Sequence, residues 1–273
     1  MSKIKTLVYF DLEATGLKSS GRPRISEISF LAVNSEDVKE LHLKIQSHLR
    51  NKNNKDYLLQ VETLLPRVLN KLSLCIYPMA IIMPEVSDIT GLDNYNLTDQ
   101  TRFDKTTGVL LNNFLERLPT PICLVAHNGN EYDFPLLKAE MEKVGIQLGS
   151  DILCADSYIG VKAIFQKRKE TIDAEETEKQ QKIDVKVKRN TLKSSNRYDP
   201  IQKKRLLQNN PQSFSLINLH ELLLGCKPIL SHGAEADCIT LLRTTAALGK
   251  EWMDWMEKGC KLFNQCKTMW GWY

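Results

Sequence analysis

Lys5-Thr6-Leu7-Val8-Tyr9-Phe10-Asp11-Leu12-Glu13-Ala14-Thr15-Gly16-Leu17 is the stretch on which the fold turns. Its first half reads as a buried strand, and Thr15-Gly16 reads as the turn that ends it. Side chains two apart on a strand share a face, so Asp11 and Glu13 can reach one cation while Leu12 turns into the core. The spacing alone is not specific. Asp173-Ala174-Glu175 repeats it in a charged segment with no strand before it, where a solvated loop is expected. Two exposed acids at a strand end remain the competing reading until partners are found.

Those partners lie far downstream. Pro121-Ile122-Cys123-Leu124-Val125-Ala126-His127-Asn128 is a second apolar run closed by polar residues, and Glu131-Tyr132-Asp133-Phe134-Pro135-Leu136-Leu137 opens a helical pattern that puts Asp133 near a helix start. Ser231-His232-Gly233-Ala234-Glu235-Ala236-Asp237 precedes apolar positions Ile239, Leu241, Leu242 and Ala246, which fit another helix. Residues five apart on one helix stand roughly 140° apart. His232 and Asp237 can therefore share a site only if His232 lies before the helix, which Gly233 permits.

Asp11, Glu13, Asp133, His232 and Asp237 make four carboxylates and an imidazole, the equipment of two-metal phosphoester hydrolysis. Hard oxygen ligands suit magnesium or manganese. Two such ions about 4 Å apart stabilise the attacking and leaving oxygens of an in-line displacement. Asp11, ending the innermost strand, is the expected bridge. An imidazole titrates near neutral pH and can accept a proton from the attacking water. A lone histidine more often packs or caps; here the acid neighbours favour the base.

The order Asp-x-Glu, Tyr-Asp-x-Pro, His-x4-Asp resembles the DEDD exonuclease superfamily in its histidine-bearing subgroup, and the wording resembles more closely still the three-prime repair exonuclease (TREX) family. Phe10 to Leu17, Pro66 to Pro78, Asp88-Ile89-Thr90-Gly91-Leu92, Pro121 to Leu137, Phe214 to Leu224 and His232 to Leu242 carry the likeness. It covers most of the chain except about forty-five residues after Phe165. The resemblance implies Asp11, Glu13, Asp133 and Asp237 as metal ligands, His232 as general base, and Mg2+ as cofactor, two ions per site with Mn2+ able to substitute. It implies Leu17 and Ile89 against the terminal nucleotide, Tyr132 near the scissile phosphate, and Thr15 with the backbone at Glu13 and Ala14 gripping the 3′ hydroxyl. Asn128 is a further substrate-binding candidate, with turn capping as its alternative. Core packing is the alternative for Leu17 and Ile89, although Gly16 and Gly91 beside them favour a surface contact. One departure stands out: Glu131 precedes the active-site tyrosine where some family members carry a basic residue.

The implied activity is metal-dependent 3′ to 5′ hydrolysis of DNA, releasing 5′-nucleotides from single strands and from frayed or mismatched 3′ ends. An exoribonuclease with the same site, and a catalytically silent nucleic-acid-binding module, are the alternatives. The implied fold is α/β: a ribonuclease H-like mixed five-stranded sheet with helices on both faces. Periodicity places strands near 5 to 11, 24 to 33, 40 to 47, 67 to 77, 121 to 127 and 151 to 155. Helices are expected near 103 to 118, 133 to 145, 157 to 165, 215 to 224, 235 to 248 and 251 to 263. Ligands of such open sheets gather at the carboxyl ends of strands, which suits Asp11 and Asn128.

Residues from both ends are needed for one site, so the 273 residues read as a single exonuclease domain. No run of about eighteen apolar residues predicts a membrane span, and Met1-Ser2-Lys3-Ile4 leads straight into a strand, so no signal peptide is expected. Seven scattered cysteines without Cys-x-x-Cys read as reduced thiols of a cytoplasmic or nuclear protein. Residues 69 to 77 alternate so as to leave one sheet edge open. In the resembled family an equivalent edge pairs across a two-fold axis into a homodimer, while coverage by a loop is the ordinary alternative. Gln166 to Gln212 holds thirteen Lys or Arg against seven Asp or Glu, a net of +6 in a chain of net +4. It reads as an exposed, mobile charged insertion with a helical stretch around Ala174 to Lys188, able to follow a phosphate backbone or merely to be solvated. Trp252, Trp255, Met256 and Cys260 share helical spacing and predict that the last helix packs on the body.

Overall fold

A computed structural model describes residues 4–50, 63–187, 211, 213–228 and 232–270. The opening stretch forms strand β1 (Thr6–Ala14), followed by β2 (Ile25–Asn34), helix α1 (Ser35–Arg50), β3 (Leu69–Cys75), α2 (Pro84–Thr90) and α3 (Lys105–Glu116). Then come β4 (Ile122–Ala126), α4 (Asp133–Lys143), β5 (Leu153–Asp156), α5 (Ser157–Val187), α6 (Leu216–Leu224), α7 (Ala234–Leu248), α8 (Lys250–Gly259) and β6 (Lys261–Leu262).

The sheet order is β3-β2-β1-β4-β5-β6, with β3, β2 and β1 antiparallel, β1, β4 and β5 parallel, and β6 antiparallel to β5. This is the expected ribonuclease H-like mixed sheet with one more strand than the five anticipated. The added strand is two residues long and pairs Lys261 and Leu262 with Cys154 and Leu153. A strand that short has no period to read.

Alternation along β1 feeds two cores. Val8, Phe10 and Leu12 face one, where Phe10 meets Phe30 and Phe134 at ring-centroid distances of 5.2 Å and 6.1 Å. Leu7 and Tyr9 face the other, built with α1, α7 and α8. Burying each such side chain stabilises the fold by about 1.5–3 kcal/mol. The one polar group this puts in the second core, the Tyr9 hydroxyl, accepts a hydrogen bond from Thr245 Oγ1 at 3.0 Å.

Three expectations are corrected. Residues 40 to 47 are helical, inside α1, not a strand. Leu41, Leu43 and Ile45 alternate, but Val38, Leu41 and Ile45 at spacings of three and four form the buried stripe, and Leu43 is left 68% exposed. The longer period wins because α1 packs that stripe against α7. The helix expected at 157 to 165 continues to Val187, so residues 166 to 173 are helix and not loop, and the helical stretch expected from Ala174 is a continuation of the same helix. No Gly or Pro interrupts residues 166 to 187. Gln166 donates to Glu170 one turn on, at 2.8 Å. The rest of that insertion lies outside the described residues.

The last helix packs as expected but ends at Gly259 and not near 263, because Lys261 and Leu262 pair with β5 instead. Trp252 and Met256 are buried, and Trp255 stacks on Trp252 at 5.5 Å. Gly160 of α5 lets this happen, since a β-carbon there would stand 2.5 Å from the Trp255 ring. No helix among the described residues is long and apolar enough to cross a membrane.

Candidate active site

Asp11 and Glu13 leave the end of β1 just before the pairing with β2 shifts register between Glu13 and Ala14. Asp237 enters from the first turn of α7, and one carboxylate oxygen from each of the three lies within 4.8 Å of the others. Asp133 is the first residue of α4 and is buried. It is coupled electrostatically to Asp11 and Glu13. Four acids from three separated segments thus share one place, as the sequence implied.

Their protonation shows the strain of that arrangement. Burial, then the neighbouring Asp133, Asp237, Glu13 and Glu27, holds the Asp11 carboxyl well above the usual range. Burial followed by Asp237 and Glu27 pushes Glu13 up to about 7. Burial pushes Asp133 up to about 8 even though backbone amides, including that of Leu12, favour its charged form. Asp237 is also raised, again by burial first. Among the described residues no Lys or Arg forms an ion pair with Asp11, Glu13 or Asp237. Clustered acids of this kind lack a positive counterpart of their own, and hard oxygen donors so close together fit a divalent cation.

His232 is exposed beside the cluster, at φ 62, and its backbone N–H donates to Asp237 Oδ2 at 3.3 Å. The required placement before the helix is what the structure has: Gly233 is the cap residue and Ala234 begins α7.

The approach to the cluster is a braced turn. Thr15 N–H donates to Arg24 O at 2.9 Å, Thr15 Oγ1 accepts from Arg24 N–H at 3.1 Å, and Thr15 O accepts from Met83 N–H at 3.1 Å. Thr15 is buried, so its visible work is fixing the turn beside Ala14. The Tyr132 hydroxyl donates to Gly16 O, placing this ring against the same turn. Leu17 and Ile89 are 66% and 57% exposed, on the surface and not in the core. Met83 follows on the same rim, exposed, and immediately precedes α2.

Asn128 takes a left-handed conformation at φ 61, one that asparagine tolerates. Its N–H, with those of Asn130 and Tyr158, donates to the buried Asp156 carboxylate at 2.9–3.1 Å. Gly129 beside it lies so close to Ala126 and Phe134 that a β-carbon would approach within 2.7 Å. This packed corner aims Asp133. Glu131 is exposed.

Sequence reading missed Glu27 and Asp156. Asp156 ends a strand and has no spacing signature. Glu27 had one signal, an acid inside the apolar run Ile25-Ser26-Glu27-Ile28.

The chain is 33% identical over 269 residues to three-prime repair exonuclease 1 of Bos taurus, covering 97% of this chain and 70% of that protein. It is 30% identical over 269 residues to three prime repair exonuclease 2 of Homo sapiens, covering 98% of this chain and 93% of that one. Among solved structures, E. coli exonuclease I in complex with a dA16 oligonucleotide superposes with a TM-score of 0.54 at 12% identity. The match takes in 93% of this chain and 43% of the exonuclease I chain, so this chain spans less than half of that protein. At that identity the likeness speaks for the fold. No protein-family model matches the chain.

Proposed function

This chain belongs to the three-prime repair exonuclease family, and we propose that it is a metal-dependent 3′ to 5′ exodeoxyribonuclease that releases 5′-nucleotides. The observation that carries the reading is the meeting of Asp11, Glu13 and Asp237 within 4.8 Å, with Asp133 buried beside them and His232 at the rim.

In this reading the four acids hold two divalent ions, Mg2+ with Mn2+ able to replace it. Such ions, when bound, offset the charge that builds on the attacking and leaving oxygens. His232 takes the proton of the attacking water, which its exposed position beside Asp237 allows. Asp237 holds the backbone of His232 through the 3.3 Å hydrogen bond as well as facing the cluster. Leu17 and Ile89 press the terminal base from either side of the turn, and Tyr132 keeps that turn in place. Their exposure supports this, since an apolar side chain left in water beside a polar site offers a base its flat contact. A rim that grips one unpaired nucleotide favours single strands and frayed or mismatched 3′ ends. Asn128 and the Glu13-Ala14-Thr15 backbone border the same space.

The chain is further proposed to act as one domain and as a homodimer through β3. Among the described residues that strand pairs only with β2, and its pattern of half-buried Leu69, Leu72 and Leu74 leaves Asn70, Lys71, Ser73 and Cys75 exposed. A cytoplasmic or nuclear setting is supported by seven cysteines, all free.

The test is direct. The purified protein is given 3′-extended single strands of matched DNA and RNA, 5′-labelled, with MgCl2 or with chelator. A ladder of shortened DNA and free 5′-mononucleotides, abolished by chelator, is expected. Preferential loss of the RNA would replace the DNA reading, and intact strands in all arms would end the nuclease reading.

A further inference from the structure

Glu27 has no part in the mechanism above, yet it stands where β1, β2 and α7 meet. In the antiparallel register it lies directly across from Glu13. Two acids so opposed repel each other. Glu13 belongs to the cluster with Asp11 and Asp237. Glu27 accepts a hydrogen bond of 2.9 Å from the backbone N–H of Ala234, the first residue of α7.

That amide needs a partner. The first N–H groups of a helix have none within the helix, and the cap residue here is Gly233, which has no side chain to supply one. A carboxylate at this end also suits the helix dipole. The cap that would ordinarily come from the preceding residue comes instead from another strand.

The consequence falls on His232. It occupies a left-handed conformation immediately before Gly233, and Asp237 N–H closes the first turn onto Gly233 O at 3.0 Å. Two carboxylates bracket the His232-Gly233 joint: Asp237 through His232 N–H, and Glu27 through Ala234 N–H. The first of these is also a proposed metal ligand, so its oxygens are contested. Glu27 is the anchor that the metal chemistry does not draw on. Other ties to the sheet act further along the helix: Glu235 receives Lys71 at 2.6 Å and Ser73 at 3.2 Å, and Cys238 Sγ donates to Ser29 O at 3.4 Å.

We infer that Glu27 is a positioning residue for the exonuclease reaction: it fixes the start of α7, and with it the placement of the His232 imidazole relative to Asp237, without itself holding a metal ion. The inference rests on the proposed roles of His232 and Asp237. It makes an unusual demand, that the hydrogen-bond reach of residue 27 matters more than its charge.

Three variants of the full chain separate reach from charge. Glu27→Gln keeps the length and an accepting oxygen but loses the charge. Glu27→Asp keeps the charge but is one methylene too short to reach Ala234. Glu27→Ala loses both. Each is assayed on a 5′-labelled single-stranded oligonucleotide over a manganese titration, for kcat, KM and the half-saturating metal concentration. Glu27→Gln is expected to retain most of kcat, while Glu27→Asp and Glu27→Ala lose about tenfold to a hundredfold, the scale of a misplaced catalytic group. KM and the half-saturating manganese concentration stay at wild-type values throughout. Should Glu27→Ala fail to fold, the order of the Gln and Asp variants still decides. The reverse order, with manganese demand raised in Glu27→Gln, would make Glu27 a metal ligand and overturn the inference. Wild-type kcat in Glu27→Asp and Glu27→Ala would overturn it too. A wild-type protein that leaves the strand intact would instead fail the nuclease reading, and the inference would fall with it.

Discussion

Asp11, Glu13 and Asp133 are acids that this fold holds with difficulty, and the difficulty sets a pH signature. Their folded pKa values are raised, to about 7 for Glu13 and about 8 for Asp133, so the folded protein binds protons more tightly than the unfolded chain between roughly pH 4 and 8. Stability from this source is complete below the ordinary carboxylate range and is lost as pH rises through 7 and 8. Melting curves of metal-free protein should therefore show a falling Tm from pH 5.5 to 8.5, with Mn2+ restoring far more at pH 8.5 than at pH 5.5. A metal-free Tm that rises over that interval would contradict the coupling. Asp237→Asn and His232→Ala should each cut turnover by about 10²–10⁴-fold with an unchanged far-ultraviolet dichroism spectrum, and wild-type rates in either would reject the assignment. The meeting of these five residues was legible in the sequence because each lies at the end of a recognisable strand or at the start of a recognisable helix. Glu27 was not, because a single acid in an apolar strand gains meaning only when Glu13 and Ala234 are brought beside it.

At the scale of elements, the sequence was most readable where one period ran without competition, as in β1 and α7. It misled at α1, where Leu41, Leu43 and Ile45 satisfy a strand over five residues and Val38, Leu41 and Ile45 satisfy a helix over eight. It also carried the last helix to 263, over β6, a strand too short for any pattern, and it broke α5 into a helix ending at 165 and a separate stretch from Ala174. The seam between α5 and α8 offers a test that leaves the site alone. Gly160→Val would drive a side chain into the Trp252 and Trp255 rings, which a β-carbon already meets at 2.5–2.7 Å. Overpacking of this kind costs about 1–3 kcal/mol. A lower denaturant midpoint with unaltered kcat is expected; an unchanged midpoint would show that the two tryptophans can move aside. The first turn of α7 is the opposite case, strapped to β2 and β3 at several points, so damage there should reach chemistry before it reaches stability.

For the whole molecule, the sheet is what makes the site. β1 lies between an antiparallel and a parallel neighbour, two cores hold it from either face, and its end delivers Asp11 and Glu13 to the place where α4 and α7 begin. The same sheet leaves β3 at its edge, and sedimentation equilibrium should give twice the 31.2 kDa chain mass. A monomer at micromolar concentration would leave that edge without its proposed role. The central claim, that four acids from three distant segments converge to bind divalent ions, is tested most directly by anomalous diffraction from crystals soaked in MnCl2 with a 5′-nucleotide. Two manganese peaks are predicted among the carboxylates of Asp11, Glu13, Asp133 and Asp237, both absent in Asp11→Asn crystals soaked alike. Manganese found only elsewhere on the molecule, or these four carboxylates pointing apart, would contradict the account.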